Sequence, residues 1–181
     1  MARIVPDQKT KFETDELFRK LSKKSEIRYT GYRDRGHEER VVRFQTECFE
    51  GRCSVAFISS GTNLLLFLGP QSKEKKSMIP SKEFMDFDKE LGKVHLKSCF
   101  VMNGVSVKFR GCIDLQKLDG TGYLEYDDYN AKIEDTILRD AVNQSIIRQQ
   151  NFEERQLRIK QELMDTESIF QGTPCHGAVF G

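Results

Sequence analysis

The sequence predicts an α+β domain: an antiparallel meander flanked by helices, with a long helix at its end. Three observations carry this reading. Asn103-Gly104 separates two extended runs, and Asn-Gly is the strongest short hairpin signal because both turn positions take positive φ. Ser54–Ile58 and Asn63–Leu68 are apolar runs of strand length bounded by turn residues. From about Tyr129 to Phe170 the chain has no Pro or Gly and is rich in Glu, Gln, Arg and Ile, the pattern of one long helix.

In chain order, Thr10-Lys11-Phe12-Glu13 has capping-box spacing, and Leu17, Phe18 and Leu21 follow at helical intervals, so a helix is expected over about 10–24. A polar loop follows, YTGYRDRGHEER, which opens a short helix near Glu38. Residues 69–80 (GPQSKEKKSMIP) read as loop. A short helix is expected next, capped by Ser81, lined by Phe84, Phe87 and Leu91, and ended by Gly92. Val94–Met102 is the first arm of the hairpin. Val105, Val107 and Phe109 alternate with polar residues in the second, and Ile113 and Leu115 continue it. Asp119-Gly120 reads as another turn before Tyr123–Tyr126. In the last helix Ile133, Ile137, Leu138, Ala141 and Val142 trace an apolar stripe. Its first half should pack on the sheet and its second half project into water.

Bulk properties exclude several functions. Lys plus Arg total 29 and Asp plus Glu 28 in 181 residues, so no overall basic field grips phosphates. No apolar run approaches the roughly 20 residues of a membrane helix, and MARIVPDQKTK lacks the apolar middle of a signal peptide. Cys48, Cys53, Cys99, Cys112 and Cys175 are scattered and form no CxxC pair, which fits a reducing compartment.

Catalytic chemistry is not visible either. His37, His95 and His176 show no ligand spacing, so no metal centre is expected, and no cofactor motif is present. There is no G-x-S-x-G elbow, and Gly120-Thr121-Gly122 lacks the Lys-Ser/Thr of a phosphate loop. Asp127-Asp128 and Glu134-Asp135 suit the positive end of a helix better than acid–base work. In RDRGHEER, Arg33, Arg35 and Arg40 offset Asp34, Glu38 and Glu39, as in a paired structural loop. Residues 125–140 hold six acids against Lys132 and Arg139, a patch that repels DNA and suits docking to a basic protein. Pattern alone therefore stops at a binding domain without catalysis.

The words of the sequence go further. VPDQKTKFE, EIRYTGYRDRGHEER, GTNL, MNGV and IDLQKLDGTGYLEYD, in this order over roughly residues 1–140, resemble the core-binding factor beta subunit family. The resemblance implies a six-stranded antiparallel barrel or strongly curved sheet with helices around it. It implies a non-enzymatic subunit without cofactor, which forms a heterodimer with a Runt-domain transcription factor and raises that partner's DNA affinity without touching DNA. The implied partner-binding residues are Gly61, Thr62, Asn63 and Leu64; Met102, Asn103 and Gly104; Glu134; Phe67; and, as a lesser contributor, Arg3. Gly36, Phe67 and His95 depart from Pro, Gln and Tyr, common in relatives, and segment 71–79 diverges. On this reading residues 1–140 are the heterodimerisation core, 141–170 a helical extension partly packed on it, and 171–181 a disordered tail. The protein is expected in the nucleus, with a cytoplasmic pool when unpartnered. The alternative is a small barrel that binds single-stranded nucleic acid through strands such as VKFR.

Overall fold

The computed structural model describes residues 3–69 and 81–171. The loop expected at 69–80 lies outside them beyond Gly69, and the expected tail lies outside them beyond Gln171. By internal contacts the chain divides into two units, Met1–Asp135 and Thr136–Gly181.

The first unit is a curled antiparallel sheet with short helices. Its strands are β1 (Ser25–Tyr29), β2 (Arg52–Phe57), β3 (Thr62–Phe67), β4 (Met85–Asp86), β5 (Lys93–Met102), β6 (Val105–Asp114) and β7 (Asp119–Tyr126). They lie in the order β3-β2-β1-β7-β6-β5-β4. The sheet thus has seven strands where six were expected, the extra one being the two-residue β4 on β5. Strong curl brings the two ends of the sheet toward each other: the buried Ser98 hydroxyl on β5 donates to Phe67 O on β3 at 2.9 Å. No backbone ladder closes this seam among the described residues, so the sheet is a half-barrel.

Alternation sets the core. Ile27 and Tyr29 on β1, Val55 and Phe57 on β2, Val94 and Leu96 on β5, Val107 and Phe109 on β6 and Leu124 on β7 are buried. Phe57 and Phe109 meet edge to face at 5.9 Å. Phe18, Leu21 and Phe44 close the core from helices α2 (Glu16–Leu21) and α3 (His37–Glu50), while α1 (Gln8–Thr14) packs on β6.

Several local expectations are corrected. The helix expected over 10–24 is two helices, because Asp15 ends α1 and its carboxylate accepts from Leu17 N and Phe18 N to start α2. Asp7, not Thr10, caps α1: its carboxylate accepts Thr10 N and Thr10 Oγ1. SEIRY, of which only Tyr29 was read, as the start of the polar loop, is the central strand β1. The short helix near Glu38 extends fourteen residues to Glu50. The helix expected from Ser81 is instead a turn and β4. Asp119-Gly120 is no turn but the start of β7; the chain reverses just before it, where Leu118 takes φ +60°. Gly120 is required for closeness, since a Cβ there would lie 1.8 Å from Cys112 O.

The helix α4 (Asp128–Gln171) begins in the first unit and makes up the described part of the second. Along its expected packing stripe Ile133, Ile137 and Val142 are 42%, 56% and 49% exposed.

Candidate partner-binding surface

The hairpin tip is built first by its own residues. Asn103 and Gly104 take φ +48° and +80°, a two-residue turn with Met102 paired to Val105. It is then fixed from behind by the N-terminal segment. Val5 N donates to Gly104 O at 2.9 Å, and Lys11 Nζ donates to Asn103 O at 2.6 Å. A Cβ on Gly104 would meet Val5 Cγ1 at 2.7 Å, so backbone angle and packing both demand glycine there. The Asn103 side chain is left exposed.

The same N-terminal segment locates the start of α4. Gln8 is 1% exposed and uses its whole amide. Its Nε2 donates to Ala131 O at 3.2 Å and to Asp135 Oδ1 at 2.8 Å, and its Oε1 accepts from Ser106 N at 2.8 Å. One buried side chain thereby ties α1, β6 and the first turns of α4 together. Asp127, also buried, caps α4 by accepting from Asn130 N at 3.2 Å. Arg3 then reaches Glu134 at 3.7 Å; the Arg3 side chain is 58% exposed and that of Glu134 17%. Asp128 pairs with Lys132 at 2.9 Å. The two acid pairs, Asp127-Asp128 and Glu134-Asp135, thus cap, brace or pair.

Gly61, Thr62, Asn63, Leu64 and Phe67 lie on or beside β3, the far edge of the sheet. Gly61 takes φ +66° with open space around it, and Ser60 and Thr62 share a 2.8 Å hydroxyl contact. Leu68 N donates back to Gly51 O, so the even-numbered residues of β3 direct their backbone groups at β2. Asn63, Leu65 and Phe67 therefore point theirs toward the seam, with side chains exposed, 53% for Leu65 and 60% for Phe67. Among the described residues no strand pairs with this edge, and an edge of that kind with exposed apolar side chains is a surface that another polypeptide can use.

The structure thus gathers Arg3, Asn103, Gly104 and Glu134 around one N-terminal strap and sets Gly61–Leu64 and Phe67 on a separate edge. No hydrogen bond or ion pair among the described residues joins the two groups. Chain direction relates them: β3 and β6 run the same way, so Gly61 before β3 and Gly104 before β6 lie at the same end of the sheet.

Elsewhere, RDRGHEER braces the fold. Arg40 donates to Gly31 O at 3.1 Å and Tyr29 O at 2.9 Å, and His37 Nε2 meets Gln116 O. The Tyr29 hydroxyl donates to Glu47 at 2.8 Å, and burial, with this carboxylate, raises its pKa far above the usual tyrosine range. One feature departs from the expectation that no metal ligands converge: the ligand atoms of Glu90, His95 and Cys112 all lie within 4.8 Å of one another. The signal was in the sequence. A two-residue turn at Asn103-Gly104 pairs His95 with Cys112 across the hairpin, eight residues out on each arm.

The chain matches the family model described as core binding factor beta subunit over residues 1–167. It is similar to Protein big brother of Drosophila melanogaster, 50% identical over 182 residues, covering 100% of this chain and 84% of that protein. It is also similar to Protein brother of the same organism, 47% identical over 142 residues, covering 78% of this chain and 65% of that protein.

Proposed function

Because the chain belongs to the core-binding factor beta subunit family, we propose that it is a non-catalytic regulatory subunit that binds a Runt-domain transcription factor and raises its DNA affinity. It does so without contacting DNA. The observation that supports this most directly is the pinned hairpin tip beside the Arg3–Glu134 pair, at the same end of the sheet as the open β3 edge. The partner meets main chain, amide and apolar groups held in place before binding, which reduces the entropy of docking. Arg3, Gly61, Thr62, Asn63, Leu64, Phe67, Met102, Asn103, Gly104 and Glu134 carry this contact. The complex acts in the nucleus, and the unpartnered chain stays in a cytoplasmic pool.

The mechanism is linkage. A subunit that binds the DNA-competent conformation of its partner more tightly than the others shifts the population toward it, and DNA must strengthen the heterodimer by the same factor. A tenfold gain requires about 1.4 kcal/mol of differential binding.

The test is a gel-shift titration of the chain into a Runt domain mixed with its DNA site, and into DNA alone. Tightening in the first and no retardation in the second is the expected result. Retardation of bare single strands would favour a nucleic-acid binder instead. A specific feature keeps that reading in the experiment: a cleft lined by Lys24, Lys82, Lys89, Lys97 and Arg110 beside Tyr123, with the acids Glu83 and Asp86 among them.

A further inference from the structure

Outside the docking surface, Glu90, His95 and Cys112 form a compact triangle of three different donor types. His95 Nε2 lies 3.2 Å from Glu90 Oε2 and 3.6 Å from Cys112 Sγ, and Cys112 Sγ lies 3.8 Å from Glu90 Oε2. The point equidistant from the three atoms is about 2.1 Å from each, and zinc takes nitrogen and oxygen ligands at about 2.0–2.2 Å and thiolate at about 2.3 Å. A slight displacement out of the plane, toward a fourth ligand, brings all three into that range. His95 Nε2–H and the Cys112 thiol can both donate to Glu90 Oε2, and these hydrogen bonds hold the three ligand atoms together on one side of the hairpin.

The frame that holds the triangle is fixed before any ion arrives. His95 and Cys112 are direct cross-strand partners on β5 and β6. Glu90 sits in the turn between β4 and β5. Asp86 Oδ1 accepts Asp88 N and Lys89 N at 2.8 and 3.1 Å there, Leu115 N donates to Gly92 O at 3.0 Å, and Phe87 stacks on Phe49 at 5.2 Å. Lys93 Nζ engages the other Glu90 oxygen, Oε1, at 3.3 Å and leaves Oε2 to the triangle, the orienting role that outer partners play around metal ligands. His95 and Cys112 are half-buried and Glu90 is exposed, so solvent reaches one side.

We propose that Glu90, His95 and Cys112 bind one zinc ion tetrahedrally, with water as the fourth ligand. Zinc has no geometric preference of its own, and a mixed N/S/O set with one open position suits it better than calcium or magnesium, which take oxygen. On binding, the thiol loses its proton to solvent and the thiolate enters the coordination sphere. The ion then ties the 87–92 turn to the β5–β6 hairpin.

Cobalt(II) tests this, because a tetrahedral thiolate site gives it a near-ultraviolet charge-transfer band and intense visible bands. Added to the reduced full-length chain, cobalt should produce both with one ion per chain, and zinc should abolish them. Cys112→Ser should remove the thiolate band, and His95→Gln should weaken binding by more than about tenfold. Cys99→Ser, and a Cys175→Ser/His176→Ala double variant, should leave the spectra unchanged. Circular dichroism checks folding; if either ligand variant unfolds, Glu90→Gln on the exposed turn takes its place and should weaken binding in the same way. Absence of the thiolate band in the parent chain, its persistence in Cys112→Ser, or its loss in the tail variant would overturn the assignment.

Discussion

Asn103 has two roles that a single substitution to alanine would mix. Its φ of +48° builds the turn, and its exposed amide faces outward. Glycine keeps the first role and deletes the second. Asn103→Gly should therefore leave melting nearly unchanged and weaken binding to a Runt domain by about 1–2 kcal/mol, read by calorimetry. A large fall in melting temperature with unaltered binding would reverse that assignment. Gln8 is the opposite case, buried and fully bonded. Gln8→Ala leaves Ser106 N without its acceptor and should cost about 2–3 kcal/mol in urea unfolding. At this scale the sequence was legible where one residue type dictates one conformation, as at Asn103-Gly104. It was silent on Gln8, because a lone glutamine in an amphipathic stretch carries no sign that three distant backbone and side-chain groups will meet it. His95 and Cys112 lie between these limits, since their pairing follows from the turn register, while Glu90 comes from a turn that was read as a helix.

Elements were legible where local pattern and fold agreed. The hairpin β5–β6, the strands β2 and β3 and the start of α4 stand where alternation and turn chemistry put them. β1 was missed because Ser25–Tyr29 is short and charged at Glu26 and Arg28, though it sits between β2 and β7 with Ile27 and Tyr29 inward. Its role comes from neighbours far away in sequence. Gly120 misled for a related reason: glycine marks close approach as well as turns. Gly120→Ala should break the β6–β7 ladder and lower the yield of folded protein sharply, as circular dichroism and gel filtration would register. A mild effect would mean that the strands separate at little cost. For the heterodimer we propose residues 1–140 as the sufficient part. Truncation after residue 140 should then retain melting temperature and partner affinity, and a clear loss in either would assign the remainder of α4 a share in the work.

For the molecule as a whole, charge balance carries an expectation about ligands but names no surface. It argued against DNA as a direct ligand; the family resemblance supplied the partner, because the surface we propose for it is made of ordinary turns and an edge. Charge also sets the acid limit of stability. Asp114, held by the amides of Lys117 and Gln116, and Glu83, held by Lys97, have pKa values below their ordinary 3.8 and 4.5. A depressed carboxylate stabilises the fold at pH values above its unfolded pKa and loses that contribution as pH falls through the folded value. Stability should therefore be level between pH 7 and about 5 and decline below about 4.5, where Glu and then Asp take up protons. Stability that rose on acidification through this window would contradict the assignment. The central claim, that this chain recognises one conformation of its partner, is tested most directly by titrating it into a Runt domain free and already bound to its DNA site. The account predicts binding about tenfold or more tighter to the DNA-bound form, equal to the gain in DNA affinity that the chain confers. Equal affinity for the two forms would contradict it.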